Sequence, residues 1–469
     1  MVFSSLKFIF LFLPIFLLIY GFAPKKLKNA VIFGGSVFFY SLGFEDMGFK
    51  SMLLYSALFL MTVLVNFIIG EFIQNFRRSS RLWLTLGLIF NFMWLIFFKY
   101  TGFFLENVNS LFGAELTVKN IILPIGISFY TFQNASYIVD VYRKRAKAET
   151  NIINYGAYIS MFPQLIAGPI VTYSTVAEQL KKRSHTIKHV ENGLMTFTIG
   201  MGYKVLIANQ ISGLWSDLSM IGYESISTPL AWLGIIAYSF QLYFDFMGYS
   251  FMAIGLGEIM GFTIPKNFDY PYLSVSMTEF WRRWHITLGS WFREYVYIPL
   301  GGNRKGKGKL VRNMLVVWAL TGLWHGASWN FVLWGLVLFG LLILERFVIG
   351  DFLNKFRFVG HLYMILVIPL TWLLFAITDF KELGLYFGKL FSIAPDTGAV
   401  VNAADYVKYW GIYGKYFIAA LIFSTRIPEL IYKKIKGSPF CSLLLLAVFW
   451  ASVYCMYKGM DDPFLYFRF

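Results

Sequence analysis

Long apolar stretches alternate with short polar loops along the whole chain. A helix of about 20 apolar residues crosses a bilayer, and no polar region is long enough to form a separate soluble domain. The pattern therefore predicts an all-α, polytopic membrane protein with roughly 10–13 spans, built as one membrane-embedded domain over residues 1–469. The main stretches lie near 6–22, 29–44, 51–70, 82–98, 120–139, 193–214, 229–250, 313–326, 331–349, 362–378, 411–424 and 440–457.

One shorter apolar stretch, residues 155–171, contains helix-breaking residues. Pro163, Gly168 and Pro169 fall inside it, and proline in a helix interior removes a hydrogen bond and clashes with the preceding turn. We expect this segment to enter the membrane and return on the same side.

Loop charges predict the side that each loop faces, because basic loops face the cytoplasm. Basic and acidic loops alternate over the first half of the chain, which places the N-terminus outside. Residues 1–22 lack a basic n-region and a clear cleavage site, so they are predicted to be a retained span. The basic loops carry Lys25, Lys26, Lys28, Arg77, Arg78, Arg81, Arg143, Lys144, Arg145 and Lys147, and the acidic loops carry Glu45, Asp46, Glu106 and Glu115.

Residues 265–312 form the longest polar segment, with nine Lys/Arg against three Asp/Glu. The charge rule makes this segment cytoplasmic or interfacial. Within it, residues 278–298 mix aromatic side chains with Arg282, Arg283 and Arg293. Aromatic rings interspersed with cationic side chains are typical of a helix at the membrane interface, and we predict such a helix here.

Composition narrows the class of protein. Hydrophobic residues make up 58% of the chain and charged residues 14%, against about 25% charged in soluble proteins. The net charge of +16 lies mostly in short loops, which favours the positive-inside pattern or an anionic ligand over nucleic acid. The two cysteines, Cys441 and Cys455, exclude a disulfide scaffold and a cysteine-based zinc site.

Two of the five histidines are candidate catalytic residues. His325 lies between two apolar runs, where an ionisable group is costly and faces a cavity or the bundle interior. His285 ends the run Trp281–His285, and Trp281 would share its helical face. Near a positive patch both suit proton transfer beside an anionic substrate; the alternatives are a buried structural histidine and an interface histidine without chemistry. His185 and His189 fit a solvated loop face, since nothing completes a zinc site.

Asp245 is an acid inside an apolar segment. A structural ion pair is the first interpretation, and a coupling carboxylate of a transporter is the alternative. The glycine-rich run 301–308 comes near a phosphate-binding loop, but Gly308 occupies the Ser/Thr position that would hold magnesium. No core strand precedes it either, so a nucleotide-binding loop is rejected.

Several motifs in the right order resemble one family. They are residues 126–133, 140–143, 162–164 and 167–170, the more specific 279–285, 297–304 and 322–326, and the ending 463–469. The chain resembles the membrane-bound O-acyltransferases, within them the bacterial alginate O-acetylase branch. Met247, Phe251 and Asp462 depart from that branch, which has a small polar residue, an acid and an asparagine there.

The resemblance implies a single acyltransferase bundle in the bacterial cytoplasmic membrane. His325 would be the invariant family histidine and the general base, and His285 its partner on the cytoplasmic side. The donor would be a thioester, acetyl-CoA or an acyl carrier protein, with no metal and no bound cofactor. We expect the basic segment to bind the donor phosphates, and its candidate residues are Arg282, Arg283, Trp284, Asn303 and Arg304.

The implied acceptor is an extracytoplasmic polysaccharide, as in exopolysaccharide biosynthesis, and the implied partners are membrane lipid, the polysaccharide machinery and a separate extracytoplasmic acyltransferase. Three alternatives stay open. They are D-alanyl transfer to teichoic acid from a carrier protein, a secondary transporter with Asp245 and His325 as proton relay, and a scaffold for export. A transporter would be supported by inverted repeats, which we do not detect.

Overall fold

A computed structural model describes residues 2–117, 121–166, 168–304, 306–395 and 398–459. These residues form helices joined by short loops, with no β-strand among them, and the all-α prediction is confirmed. The motif at residues 463–469, the departure at Asp462, and Ala167 and Lys305 within other motifs lie outside the described residues.

The chain divides into two compact units. Unit 1 contains Met1–Phe197 and Ser250–Pro265, and unit 2 contains Thr198–Tyr249 and Lys266–Phe469. The expectation of one membrane-embedded domain over residues 1–469 stays a prediction.

Unit 1 is built from eight named helices, the first part of a ninth, which ends in unit 2, and the last part of a later helix, from Ser250 to Ile259. The first nine are α1 (Leu13–Phe22), α2 (Lys28–Leu42), α3 (Phe49–Asn75), α4 (Ser80–Phe112), α5 (Ile127–Tyr142), α6 (Ile152–Ser160), α7 (Phe162–Leu165), α8 (Tyr173–Lys181) and α9 (Ile187–Gly202).

Polar and small residues join the long helices of unit 1. Asn66 on α3 and Asn91 on α4 exchange two side-chain amide hydrogen bonds of 2.9 and 2.6 Å. Inside a membrane such a pair fixes the register of two helices, because the alternative is an unsatisfied amide in hydrocarbon. A Cβ on Gly70 of α3 would come within 2.6 Å of the Tyr137 ring on α5, so α3 and α5 are in close contact there.

The segment predicted to be re-entrant is broken where its proline falls. α6 ends at Ser160, and α7 begins at Phe162 with Pro163 in its first turn. Proline is tolerated in a first turn, where its missing N–H would be unpaired anyway. The return of this segment to the same side stays a prediction.

Unit 2 contains the part of α11 from Thr228 to Tyr249 and all of the remaining helices. They are α10 (Asn209–Ile221), α11 (Thr228–Ile259), α12 (Met277–Arg283), α13 (Ile286–Phe292), α14 (Lys307–His325), α15 (Trp329–Leu344), α16 (Gly350–Lys355), α17 (Arg357–Ala376), α18 (Phe380–Leu390), α19 (Asp405–Phe423), α20 (Ile427–Ile435) and α21 (Pro439–Tyr457).

Short irregular turns extend or join several of these helices. Turns of π-helix lie at Phe8–Phe12, Tyr203–Ala208, Arg293–Tyr297 and Glu345–Ile349, and turns of 3₁₀-helix at Glu45–Met47, Arg77–Ser79, Tyr223–Ser225 and Pro271–Leu273. A π-turn leaves backbone groups out of the regular ladder and is frequent at functional sites.

Among the described residues, six helical segments are long and apolar enough to cross a membrane. They are Phe49–Asn75, Arg77–Phe112, Thr228–Ile259, Trp329–Lys355, Arg357–Ala376 and Pro439–Tyr457. The chain is a multi-pass membrane protein, and the count of roughly 10–13 spans stays a prediction. The other apolar stretches form helices that are shorter or more polar, such as Phe8–Phe22.

Residues 278–298 do not form the single interfacial helix that the sequence predicted. α12 ends at Arg283, Trp284 is extended, and α13 begins only at Ile286. Trp281 therefore does not share a continuous helical face with His285. Phe280, Trp284 and Trp291 are buried in the protein, so these aromatic rings form core contacts.

Candidate active site

A cavity of about 270 Å³ lies in unit 2, and both candidate histidines line it. Its walls come from α12, α13 and α14 and from the π-turns that follow α13 and α15. Trp281 and Trp318 form part of its apolar lining, and Arg293 and Arg346 are its cationic members. His285 is 2% exposed and His325 is 5% exposed, whereas both arginines are exposed. The cavity therefore joins a buried pair of imidazoles to two exposed guanidinium groups.

His285 lies at the turn between α12 and α13. Its backbone angles, φ 44° and ψ 54°, are left-handed, a conformation that side-chain-bearing residues adopt uncommonly. Such a conformation persists where surrounding structure enforces it. The backbone N–H of Ile286 donates to the carbonyl of Asn267 at 2.9 Å, and that of Asp269 donates to the carbonyl of Arg283 at 2.9 Å. Pairing with residues 267–269 therefore holds the turn.

Asn267 fixes the orientation and the tautomer of the His285 ring. Its side-chain oxygen accepts from the backbone N–H of Thr287 at 3.3 Å and from the Thr287 hydroxyl at 2.9 Å. The same oxygen lies 3.1 Å from His285 Nδ1. Because a carbonyl oxygen can only accept, Nδ1 carries the proton, and a neutral ring then presents Nε2 as an acceptor.

Burial keeps His285 neutral. The ring lies edge-on to Phe246 with 4.6 Å between centroids, and burial lowers the pKa of His285 to about 3. Apolar surroundings disfavour the charged imidazolium because it loses hydration. The imidazole is thus uncharged throughout the physiological pH range.

His325 is the last residue of α14, and aromatic side chains surround it. The rings of Trp334 and Phe375 lie edge-on at centroid distances of 5.0 and 5.3 Å, and that of Trp324 lies at 5.0 Å. Close packing of α14 on α15 positions this end of the helix: a Cβ on Gly322 would come within 2.4 Å of the Phe331 carbonyl oxygen.

A buried carboxylate supports the His285 segment. Glu345, at the end of α15, is 3% exposed. It accepts from the backbone N–H of Met277 and from the N–H and hydroxyl of Thr278 at 2.9 and 3.0 Å. These N–H groups open α12, where helix donors need acceptors and negative charge is favoured. Glu345 therefore ties α12 to the end of α15.

Of the predicted donor-binding residues, only Trp284 lines the cavity. Arg283 forms an ion pair of 2.6 Å with Glu279. Arg282, Asn303 and Arg304 are exposed and are not part of the cavity lining. Their assignment to the donor stays a prediction.

The cationic residues that do line the cavity were not selected from the sequence as site residues. The sequence pattern placed Arg293 only among the cationic side chains of the predicted interface helix. Glu345 and Arg346 interrupt the apolar stretch 331–349, and an ionisable pair inside such a stretch is a signal of a site. Asn267 carried no comparable signal, because it lies 18 residues from His285 in the chain.

Asp245 lies in an ion pair, as predicted. Its carboxylate is 2.7 Å from Lys204 Nζ, and both side chains are 1% exposed. Lys204 lies in the π-turn Tyr203–Ala208 and was not selected from the sequence. Removing one partner of such a buried ion pair is costly, because it leaves the other charge buried and unpaired.

His185 and His189 lie in unit 1 and do not line this cavity. Among the described residues, no group of three or more His, Cys, Asp or Glu side chains is placed to hold a metal ion. The expectation of metal-free chemistry stays a prediction.

Comparison with known proteins gives consistent matches. The profile of "MBOAT, membrane-bound O-acyltransferase family" matches residues 142–389. A "Probable alginate O-acetylase" of Azotobacter vinelandii is 38% identical over 413 residues, 86% of this chain and 81% of the relative. A peptidoglycan O-acetyltransferase of Helicobacter pylori is 36% identical over 365 residues, 71% of this chain and 68% of the relative. A teichoic acid D-alanyltransferase of Bacillus subtilis is 30% identical over 221 residues, 45% and 55% of the two chains.

Proposed function

Since the chain belongs to the membrane-bound O-acyltransferase family and is an O-acyltransferase, we propose that it moves an acetyl group from a cytoplasmic thioester toward an extracytoplasmic polysaccharide. In this proposal His325 is the general base. The observation that carries it is one cavity lined by two buried histidines and two exposed arginines.

The reaction needs a base but no metal. An acceptor hydroxyl attacks the thioester carbonyl, forming a C–O bond while the C–S bond breaks. The hydroxyl proton passes to the imidazole of His325 and then to the departing thiolate. A positioned base of this kind contributes about 10²–10⁴-fold in rate.

The two histidines take different parts in this proposal. A base works best when its pKa is near the operating pH, and burial lowers the pKa of His285 to about 3. His285 is therefore a weak base. With Nδ1–H donating to Asn267, its Nε2 can accept a hydrogen bond from the acceptor hydroxyl or the donor amide and so orient it.

The size and charge of the cavity favour a thioester arm as the occupant. A volume of about 270 Å³ is just below the range of roughly 300–1,000 Å³ that holds drug-sized ligands. It suits an acetyl group and the end of a pantetheine chain, not a whole coenzyme. Arg293 and Arg346 would bind donor phosphate, since guanidinium groups pair with phosphate oxygens. Arg282, Arg283, Asn303 and Arg304 would contact the part of the donor outside.

The acceptor assignment draws on the relatives. Those covering most of the chain are named for O-acetylation of alginate and of peptidoglycan, both of which are carbohydrate polymers. We propose the same class of acceptor, and we propose that a separate extracytoplasmic acyltransferase completes transfer to the polymer. The cytoplasmic-membrane location and the extracytoplasmic N-terminus belong to this proposal.

D-alanyl transfer to teichoic acid is the second candidate. It draws on a relative that matches 45% of the chain, whereas the alginate O-acetylase matches 86%. A transporter with Asp245 as coupling group is less favoured, because Asp245 is held by Lys204 at 2.7 Å.

Ester analysis tests the proposed function. Cells lacking the gene are complemented with the wild-type chain, and the esters released from the surface by mild alkali are identified by mass spectrometry. We expect acetate from a polysaccharide fraction. Recovery of D-alanine in its place would assign the second candidate, and no change in either ester would refute both.

A further inference from the structure

Cationic side chains meet around one tyrosine ring in unit 1, at the end of α1 and the start of α2. Lys28 Nζ lies 4.6 Å from the centroid of the Tyr20 ring, and the Arg183 guanidinium carbon lies 5.9 Å from it. The His185 ring lies edge-on to the same ring at 5.5 Å. Lys28 and Arg183 are called the cationic cluster below, and the His185 ring is its neighbour.

The guanidinium of Arg183 is held in one position. Its Nε donates to the Tyr20 hydroxyl at 3.0 Å and to the Met260 carbonyl at 3.2 Å. Its Nη1 donates to Asn29 Oδ1 at 2.7 Å and to the Gln179 carbonyl at 3.2 Å. The Tyr20 hydroxyl in turn donates to Met260 at 2.6 Å. The charge is thus preorganised by neutral groups.

No carboxylate of the described residues pairs with this charge. Among the described residues, Lys28, Arg183 and His185 form no ion pair with a carboxylate. The Nη2 atom of Arg183 is buried and has no hydrogen-bond acceptor in that part of the chain. A buried donor without an acceptor is destabilising, and a partly buried charge is more so.

The lowered pKa values of the residues around Tyr20 also indicate uncompensated positive charge. The pKa of Lys28 is lowered by burial and then by Arg183 and Lys25. The pKa of His185 is lowered by burial and then by Lys28, His189 and Arg183. The fold therefore brings like charges together, and an anion placed among them would relieve the repulsion.

We propose that the cationic cluster binds a phosphate group, supplied by the headgroup of an anionic phospholipid. The fixed guanidinium charge of Arg183 and the adjacent ammonium of Lys28 together suit a phosphate group in charge, and Lys28 Nζ can donate to a phosphate oxygen. The site uses residues of unit 1 alone, and none of them lines the cavity in unit 2.

The surroundings favour a lipid over free phosphate. Exposed apolar side chains flank the cluster in sequence: Phe22 is 87% exposed, Leu27 54% and Ile187 87%. Side chains of this kind next to cations are typical of headgroup depth, where acyl chains lie against the apolar residues. Loop charge predicts that this end faces the cytoplasm, whose leaflet carries the anionic lipids.

Binding to the purified full chain in neutral detergent tests this inference. Short-chain phosphatidylglycerol, short-chain phosphatidylcholine and inorganic phosphate are titrated separately, and thermal unfolding is followed by tryptophan fluorescence. We expect phosphatidylglycerol to raise the unfolding temperature saturably and phosphatidylcholine to leave it unchanged. Equal responses to the two lipids would overturn the proposal. An equal response to inorganic phosphate would overturn the lipid source.

Variants locate the binding site. Lys28→Gln and Arg183→Gln should each weaken phosphatidylglycerol binding about tenfold, or about 1.4 kcal/mol. Lys50→Gln removes the same charge from an exposed position of unit 1 and should bind like wild type. If Arg183→Gln fails to fold, Lys28→Gln alone tests the site. That variant should fold, because Lys28 makes no side-chain hydrogen bond among the described residues. Wild-type affinity in Lys28→Gln would refute the site, and neither result depends on acyl transfer.

Discussion

At the residue scale, His285 and His325 differ in what holds them. A polar network through Asn267 fixes the His285 ring at 3.1 Å, whereas aromatic rings surround His325 at 5.0–5.3 Å. Both were selected from the sequence as candidates, His325 because an ionisable group at membrane depth is costly, and both because the family motifs match there. Asn267 and Lys204 could not be identified in this way, since each acts on a residue distant in sequence.

Asn267→Asp tests the control of His285. A carboxylate beside Nδ1 favours the imidazolium and raises the pKa of His285 from about 3 toward its ordinary value of about 6.5. His285 would then become protonated as the pH falls, and Nε2 would no longer accept. We expect the acid limb of the pH–rate profile of acetyl transfer to move to higher pH. Asn354→Asp, at an exposed position of α16, is the matched control, and a folded Asn267→Asp with an unshifted profile would contradict this account.

The cavity arginines test donor binding. Arg293→Gln and Arg346→Gln each remove one cation from the cavity, so KM for the thioester donor should rise about tenfold while kcat changes less. Initial rates against donor concentration measure both constants. Arg282→Gln and Arg304→Gln remove the same charge from outside the cavity and should raise KM less. The reverse order would assign the donor phosphates to the exposed loop.

At the element scale, the sequence predicted helices well where they are long and apolar, and it failed where distant pairing overrides local preference. Residues 278–298 carry a helical pattern of aromatic residues, yet the chain turns at His285. The cause is hydrogen bonding to residues 267–269, which no local pattern reveals. The break at Pro163 was predicted because proline acts locally.

Glycine substitutions test the packing that places His325. Gly322→Ala puts a Cβ within 2.4 Å of the Phe331 carbonyl oxygen, and overpacking of this kind costs about 1–3 kcal/mol. Gly340→Ala, on α15, meets nothing within 4 Å and should be neutral or stabilise by up to about 1 kcal/mol. Thermal unfolding in detergent measures both variants. Equal unfolding temperatures would show that α14 and α15 are not in close contact there.

At the scale of the whole molecule, composition and apolar pattern were enough to predict a polytopic all-α protein, and the motifs were enough to predict its family. The number of spans was harder to predict. Apolar content alone does not distinguish a spanning helix from a buried short one such as α6, whose second half is buried in the protein. Sidedness stays a prediction from loop charge.

Cysteine labelling tests the sidedness. In a chain with Cys441 and Cys455 replaced, Ser110→Cys and Lys307→Cys place single thiols at exposed positions. The positive-inside rule predicts that an impermeant reagent labels position 110 in intact cells and position 307 only after lysis. Labelling of position 307 from outside would overturn the cytoplasmic donor site.

The most direct test of the central claim is surface acylation by His325→Ala, with His185→Ala as the matched control outside the cavity. The change should shift the free energy of unfolding by only about 1–3 kcal/mol, so membrane level and monodispersity should stay near wild type. Loss of the general base should lower the acyl-transfer rate by roughly 10²–10⁴, while His185→Ala stays near wild type. A well-folded His325→Ala that acylates at the wild-type rate would contradict the catalytic assignment.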